Sequence, residues 1–292
     1  MFPIKNYLKA SSVKEAVDML VANPNSCPIA GGTDILIRLH EGKSGYESLI
    51  DIHDLEELKQ CRINENGSLS IGTGMTFSAL MTSEEIQAHI PILAIAAGTV
   101  GGPQVRNTAT IGGNICNGVT SADSATSLFC HNATLNIISK NGNRTLPIEE
   151  FYLGPGKVDL KSDEIVTSFE ISQDNYQGYL GHYHKYAMRN AMDIATIGCA
   201  AVCKIEDDHL MDLRLAYGVA APVPIRCKQT ESRVIGEKLT PKLMDDIAKS
   251  VLDDVNPRTS WRASKEFRLQ IIQELARRVV KQAIEKAGGK IQ

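Results

Sequence analysis

The chain has 292 residues, enough for about two domains, with 43% hydrophobic and 22% charged residues, the proportions of an ordinary globular protein. Its 31 basic and 34 acidic residues leave a net charge of −3, which excludes a general polyanion binder and sets nucleic acid aside as a partner. No uninterrupted apolar run is long enough to span a bilayer, so no membrane partner is expected.

The opening Met1-Phe2-Pro3-Ile4-Lys5-Asn6 lacks a basic region followed by an apolar stretch, so no signal peptide is expected. Ser12-Val13-Lys14-Glu15 reads as a capping box. Val13, Ala16, Val17, Leu20 and Val21 then form a helical stripe, ended by Asn23-Pro24-Asn25. Cys27 to Ala30 is a short strand, Gly31-Gly32-Thr33-Asp34 a turn, and Ile35 to Leu39 the start of a second helix. Ser48 to Ile52 is the next strand, so the first 55 residues read as a small βαβ-type unit.

Gln60 to Ile63 and Leu69 to Gly72 form a hairpin around Asn66-Gly67. Thr76 caps a helix over 77–81, and 84–98 is helical with a break at Pro91. Thr120-Ser121-Ala122-Asp123 resembles a capping box before a helix over 124–130. Thr134 to Ser139 turns at Asn141-Gly142 into a strand over 144–148, and 165–171 alternates as another. The polar stretch 172–181 reads as a domain boundary. Three antiparallel strands follow at 182–186, 195–205 and 210–219. Thr240-Pro241 opens a helix to about Val255, and a long helix over 263–287 is closed by Gly288.

The stretch Thr108 to Gly118 holds three glycines and two asparagines and almost no charge. Backbone with so little side chain can approach a ligand closely, and successive free amides form an anion nest. Gly31-Gly32 has the same character. Each pair reads as strand, glycine turn, helix start, which presents amides and the positive helix end to a phosphate. Either loop alone is equally compatible with a structural turn. The usual owners of such loops are excluded. No G-x-G-x-x-G occurs: Gly154-Pro155-Gly156 fails at Asp159. Gly42-Lys43-Ser44 fails as a P-loop because position 37 is Ile.

The remaining polar residues carry little. Seven cysteines, an odd number without a C-x-x-C pair, point to free thiols in a reducing, cytoplasmic compartment. Cys199 and Cys203 are too isolated for a metal site, and His182 and His184 share a strand face without a third ligand. Lys185, Arg189 and Asp193 are either strand-end charges or site residues, and Arg277, Arg278 and Lys281 a solvated helix face.

Ala30-Gly31-Gly32-Thr33-Asp34, the run Gln104 to Asn114, and Asp123 resemble the FAD-binding subunits of the molybdenum hydroxylases, those of bacterial xanthine dehydrogenases above all. Trp261-Arg262-Ala263-Ser264-Lys265-Glu266-Phe267-Arg268 is similar to that family's C-terminal signature. The resemblance implies an α+β chain. A two-lobed PCMH-type FAD-binding domain would occupy residues 1–176, with lobes of about 1–55 and 56–176. A C-terminal domain with a three-stranded antiparallel sheet and helices would occupy 177–292. It implies that Cys27, Pro28, Ile29, Ala30, Gly31, Gly32, Thr33 and Asp34 face Ala109, Thr110, Ile111, Gly112, Gly113 and Asn114 across the FAD. Asp123, Ile165 and Lys185 would also meet the cofactor. Met192-Asp193-Ile194-Ala195-Thr196 resembles the loop beside the isoalloxazine, with Ile194 where the carbon monoxide dehydrogenase branch carries an aromatic. No cysteine cluster of the 4-hydroxybenzoyl-CoA reductase kind is present.

The resemblance further implies a redox subunit, with a molybdenum-cofactor subunit and a two-iron iron–sulfur subunit as partners. Electrons would pass from the iron–sulfur clusters through FAD to NAD+ during purine oxidation. No catalytic residue and no metal ligand is expected in this chain. The alternatives are the flavin subunit of a carbon monoxide, nicotinate or aldehyde dehydrogenase, a self-sufficient FAD enzyme like UDP-N-acetylmuramate dehydrogenase, and an assembly module without flavin. The signature from Trp261 to Arg268 favours the subunit.

Overall fold

The computed structural model describes residues 4–43 and 45–291. The expectation for Met1 to Pro3 and the last position of Gly42-Lys43-Ser44 lie outside the described residues, as does Gln292.

The first lobe is a three-stranded parallel sheet. Its elements are β1 (Asn6–Lys9), α1 (Val13–Ala22), β2 (Cys27–Ile29), α2 (Ile35–His40) and β3 (Ser48–Asp51), with strand order β1-β3-β2. The parallel pairing follows from the helices, which carry the chain back between strands. Ser12 caps α1 by accepting from Glu15 N, and Glu15 accepts in return from Ser11 N at 2.7 Å. β1 is absent from the sequence reading. It is four residues long, and no apolar alternation marks it.

The second lobe opens with the hairpin β4 (Cys61–Ile63) and β5 (Leu69–Gly72). Six helices follow: α3 (Phe77–Thr82), α4 (Glu84–His89), α5 (Pro91–Gly98), α6 (Pro103–Arg106), α7 (Ile111–Cys116) and α8 (Asp123–Cys130). Thr76 and Ser83 cap α3 and α4, and Pro91 and Pro103 sit at the starts of α5 and α6, where no amide hydrogen bond is lost. The chain then adds β6 (Thr134–Ser139), β7 (Gly142–Pro147), α9 (Ile148–Phe151), the small pair β8 (Tyr152–Gly154) and β9 (Lys157–Val158), and β10 (Ile165–Ile171). The five-stranded antiparallel sheet runs β4-β5-β10-β6-β7. Leu69, Ile71, Phe77, Leu135 and Phe169 are central to the core beneath the helices. The first lobe sits on the second through α1, whose Ala16, Val17 and Leu20 bury Ile165 of β10.

The segment 172–181 is no loose connector. It holds α10 (Gln173–Tyr176), and the buried Tyr176 donates its hydroxyl to Gly67 O at 2.6 Å. Beyond it come β11 (Leu180–Tyr186), β12 (Ile197–Glu206), β13 (His209–Gly218) and the two-residue β14 (Ile225–Arg226). The C-terminal sheet thus has four antiparallel strands, because Ile225 and Arg226 pair with Tyr217 and Ala216. The helices α11 (Lys228–Val234), α12 (Pro241–Ser250) and α13 (Lys265–Lys286) complete the chain, with α11 unforeseen from its polar sequence. Ile272, Val279 and Ile284 of α13 share a core with Ile197, Leu213 and Tyr217. The helix closes as a Schellman turn, with Gly288 N on Glu285 O and Gly289 N on Ile284 O, and Gly288 at a φ of +87°.

The C-terminal sheet caps α8. Arg214 donates to Cys130 O at 3.2 Å and Arg226 to Phe129 O at 3.1 Å, setting cations at the negative helix end. Arg226 is neutralised by Glu231, which also accepts from Leu215 N at 2.8 Å. His131 follows the helix, fully enclosed, with Nδ1 on Asn175 O at 2.9 Å and, among the described residues, no partner at Nε2. Burial, aided by the two arginines, pushes its imidazole down from 6.5 to about 4. The unfolded chain would take up this proton near pH 6.5. Stability is therefore intact above that pH and falls, by on the order of 3 kcal/mol, as pH drops towards 4. Urea midpoints at pH 7.5 and 5 should separate more for the unaltered chain than for His131→Gln; equal separations would contradict this account.

Candidate functional site

One glycine pair lets the lobes meet, and the other seats α7 within the second lobe. At Gly31 a β-carbon would stand 2.0 Å from Thr108 O, so only glycine lets the turn before α2 lie on the turn before α7. Gly32 takes a φ of +69°, the left-handed region that other residues avoid. Gly112 donates its amide to Thr73 O at 2.9 Å, and a β-carbon there would meet Thr73 Cβ at 2.5 Å. Gly113 differs. It is exposed, and a β-carbon would meet only Thr110 Oγ1, at 3.2 Å.

Gly112 and Gly113 do not form a loop ahead of a helix, as the sequence reading had it. They lie in the first turn of α7, which Thr110 caps by accepting from Gly113 N at 3.1 Å. The cap and the packing against Thr73 outweigh the low helix propensity of the glycines. Of the stretch 109–114, Ala109, Thr110, Ile111 and Gly112 are buried, Gly113 is exposed and Asn114 is half-buried. On the other side, Ile29 is buried, Cys27, Pro28, Ala30, Gly31, Gly32 and Thr33 are half-buried, and Asp34 is exposed.

A second contact ties the helices farther along. Arg38 of α2 donates through Nη2 to Asn117 Oδ1, just past α7, and through Nη1 to Tyr46 Oη at 2.5 Å. Asp34 lies beside Arg38 and Asn117. Burial raises its carboxyl above the usual range, against the opposing Arg38 charge and Asn117 side chain. Burial also holds the Cys27 thiol up at about 11 and Cys116 at about 12, so neither is a thiolate. Cys116 packs against the core, whereas Asn117 makes the tie.

Asp123 and Lys185 form a second cluster. Asp123 accepts from Tyr183 Oη at 2.7 Å and Lys185 Nζ at 2.8 Å, and Lys185 also donates to Thr99 O at 3.0 Å. Burial raises the Asp123 carboxyl, with Lys185 and Tyr183 opposing. The expected capping box at 120–123 does not form. Thr120 instead accepts from Val219 N at 3.1 Å and donates to Ala221 O at 3.2 Å, and Ala122 is the uncapped helix start. The neighbouring Ser124 donates to Asn114 Oδ1 at 2.7 Å, linking this cluster to α7. Ile165 is 3% exposed, with its side chain in the core between the lobes.

Other polar residues stand apart. His182 Nδ1 lies 3.2 Å from Lys286 Nζ, and among the described residues no three His, Cys, Asp or Glu side chains converge. Arg189 faces Asp193 at 3.7 Å across an exposed loop. That loop crosses Gly101, whose carbonyl accepts from Met192 N at 3.1 Å. Within the C-terminal signature Trp261 is 78% exposed beneath Arg262, while the 2% exposed Arg268 donates to Thr196 O and to Ser260 Oγ. A surface groove of about 550 Å³ along α12 is lined by charges such as Arg233 and Asp253, already paired with each other, and by none of the glycine elements. Sequence reasoning missed Arg38, Thr99 and Tyr183, whose partners are 79, 86 and 60 positions away.

Comparison with known proteins fits this arrangement. The family described as the FAD binding domain in molybdopterin dehydrogenase matches residues 2–173, and the CO dehydrogenase flavoprotein C-terminal domain matches 182–283. The chain is 47% identical over all 292 residues to the xanthine dehydrogenase FAD-binding subunit of Escherichia coli O157:H7, covering the whole of both. It is 32% identical over 283 residues to the glyceraldehyde dehydrogenase medium chain of Sulfolobus acidocaldarius, covering 97% and 99% of the two. Its fold superposes on a chain of carbon monoxide dehydrogenase from Hydrogenophaga pseudoflava with a TM-score of 0.92 at 27% identity, over 98% of this chain and 99% of that one.

The two glycines of α7 should respond differently to a methyl group. Gly112→Ala should cost about 1–3 kcal/mol in urea unfolding of the cofactor-free chain, because Thr73 cannot retreat without disturbing β5. Gly113→Ala should change that stability by no more than about 0.5 kcal/mol. Equal losses would mean that Gly113 is packed against protein.

Proposed function

We propose, from the premise that this chain belongs to the FAD-binding family of the molybdopterin dehydrogenases, that it is the electron-transferring flavin subunit of a xanthine dehydrogenase-type molybdenum hydroxylase. FAD is its cofactor and oxidoreduction its class of chemistry. The observation that carries the reading is the meeting of two helix starts, with Gly31 pressed against Thr108 and Gly113 open to solvent, which we read as the two walls of a recess.

The residues fit a dinucleotide. Amides of Gly32, Thr33 and Asp34 on one wall would hold its diphosphate, while on the other, where Gly113 N and Asn114 N already bond Thr110, Gly113 would leave it room beside Asn114 at the positive start of α7, with Cys27 to Ala30 and Ala109 to Gly112 as the supporting shell. Lys185, its ammonium fixed by Asp123 and Thr99 O, would meet the cofactor from the C-terminal side, and the backbone at Ile165 from the lobe junction. When bound, FAD supplies the exchange of electrons between one-electron and hydride donors and acceptors. The chain supplies binding, orientation and the exclusion of water, and no acid–base residue is required.

The division into a two-lobed FAD-binding domain over 1–176 and a C-terminal domain over 177–292 belongs to the same reading. So do a cytoplasmic heterotrimer with molybdenum-cofactor and two-iron iron–sulfur subunits, a purine substrate on the molybdenum subunit, and NAD+ as acceptor. Full-length identity of 47% to a xanthine dehydrogenase subunit supports the purine assignment over carbon monoxide or nicotinate.

Two measurements test this. Gly113→Val should fold and yet weaken FAD binding more than about tenfold, because its side chain enters the diphosphate space; FAD retained at the unaltered affinity would displace the cofactor from this recess. In the assembled complex, xanthine should bleach the flavin absorbance and NAD+ should restore it. Bleaching by nicotinate or an aldehyde and not by xanthine would overturn the purine assignment.

A further inference from the structure

The helix α2 is six residues long and buries only Leu39. So short a helix has little stability of its own, and its place depends on what holds it. At its start, Gly31 meets Thr108 backbone by close approach alone. A charged tie lies near the other end, where Arg38 bonds Asn117 of the second lobe and Tyr46 of the first, with the guanidinium 5.5 Å from the Tyr46 ring centroid, and Asp34 at the start also lies beside the Asn117 side chain. Tyr46 thereby pre-orients the fork of donors that crosses to Asn117. The amides of Gly32 to Asp34, at the start of α2, form one wall of the recess, and α7 forms the other.

We infer that Arg38 is a positioning residue: by tying α2 to Asn117 it sets the width of the FAD recess and governs how long FAD stays. The inference rests on reading the recess as the FAD site. Arg38 touches no reacting atom. It acts by fixing the wall whose amides bind the cofactor, so its loss widens the recess and speeds release. One charge-assisted hydrogen bond is involved, and its removal should be felt as about a tenfold effect or more.

The test uses the full chain with FAD as the probe, and follows affinity and release rate by flavin fluorescence. Arg38→Ala and Asn117→Ala should each accelerate release about tenfold or more, and the double variant should match the faster single, since both remove the bond between Arg38 and Asn117. Arg38→Lys should restore part of the retention, as lysine keeps a donor without the fork. Release within about twofold of the unaltered chain, or effects that add in the double variant, would overturn the inference. Thermal unfolding of the cofactor-free variants separates positioning from folding. A merely structural Arg38 would lower that midpoint without any coupling to Asn117 in the release rate, which counts against the inference. Should Arg38→Ala not fold, Asn117→Ala and Arg38→Lys still decide. An unaltered chain that binds no FAD would defeat the reading of the recess itself, a result distinct from variants that release FAD normally.

Discussion

The contact between Gly31 and the carbonyl of Thr108 is the constraint from which the rest of the recess follows. Two backbones approach so closely that no side chain fits between them. Because the approach is backbone to backbone, the starts of α2 and α7 meet at one place. The remaining glycines then divide the work. Gly32 supplies the left-handed turn, Gly112 seats α7 on Thr73, and Gly113 leaves space. Glycine-rich sequence here serves three different mechanical ends, and only one of them leaves open space.

Charge is used sparingly and in pairs. Asp123 with Lys185, and Arg226 with Glu231, are almost wholly enclosed, and each carboxylate accepts at least one further hydrogen bond. Such pairs hold geometry more than they add stability, since desolvation offsets much of the attraction. Their placement is consistent: both join the C-terminal sheet to α8, one at each end of the helix. Through Ser124 and Asn114 the first pair also reaches α7. The recess is therefore braced by the sheet behind it as well as by the lobe in front.

Much of this was legible in the sequence because it is local. Caps at Ser12, Thr76 and Thr240, prolines at helix starts, and the alternation of 165–171 mark elements whose causes lie within a few residues. The glycine pairs were legible as places of close backbone approach, but the helical setting of Gly112 and Gly113 in α7 was not, since it depends in part on Thr73, far away in sequence. Thr120 looked like a cap because composition alone cannot tell that its hydroxyl is engaged by Val219 and Ala221. β1 and β14 are short and gain their order from a neighbouring strand. Arg38 was invisible for a related reason: nothing near it in the chain announces Asn117.

The bond between Asp123 and Lys185 also bears on modularity. Its two ends lie on either side of the polar segment 172–181, where a chain might be divided. Severed there, the front portion would keep an enclosed carboxylate and the rear portion an ammonium, each stripped of its counterion. Removing one member of a buried pair costs about 3–5 kcal/mol, a large share of a typical domain's stability. The C-terminal portion is thus no portable cassette: fusion, shuffling or truncation in this lineage must carry both ends of that bond together.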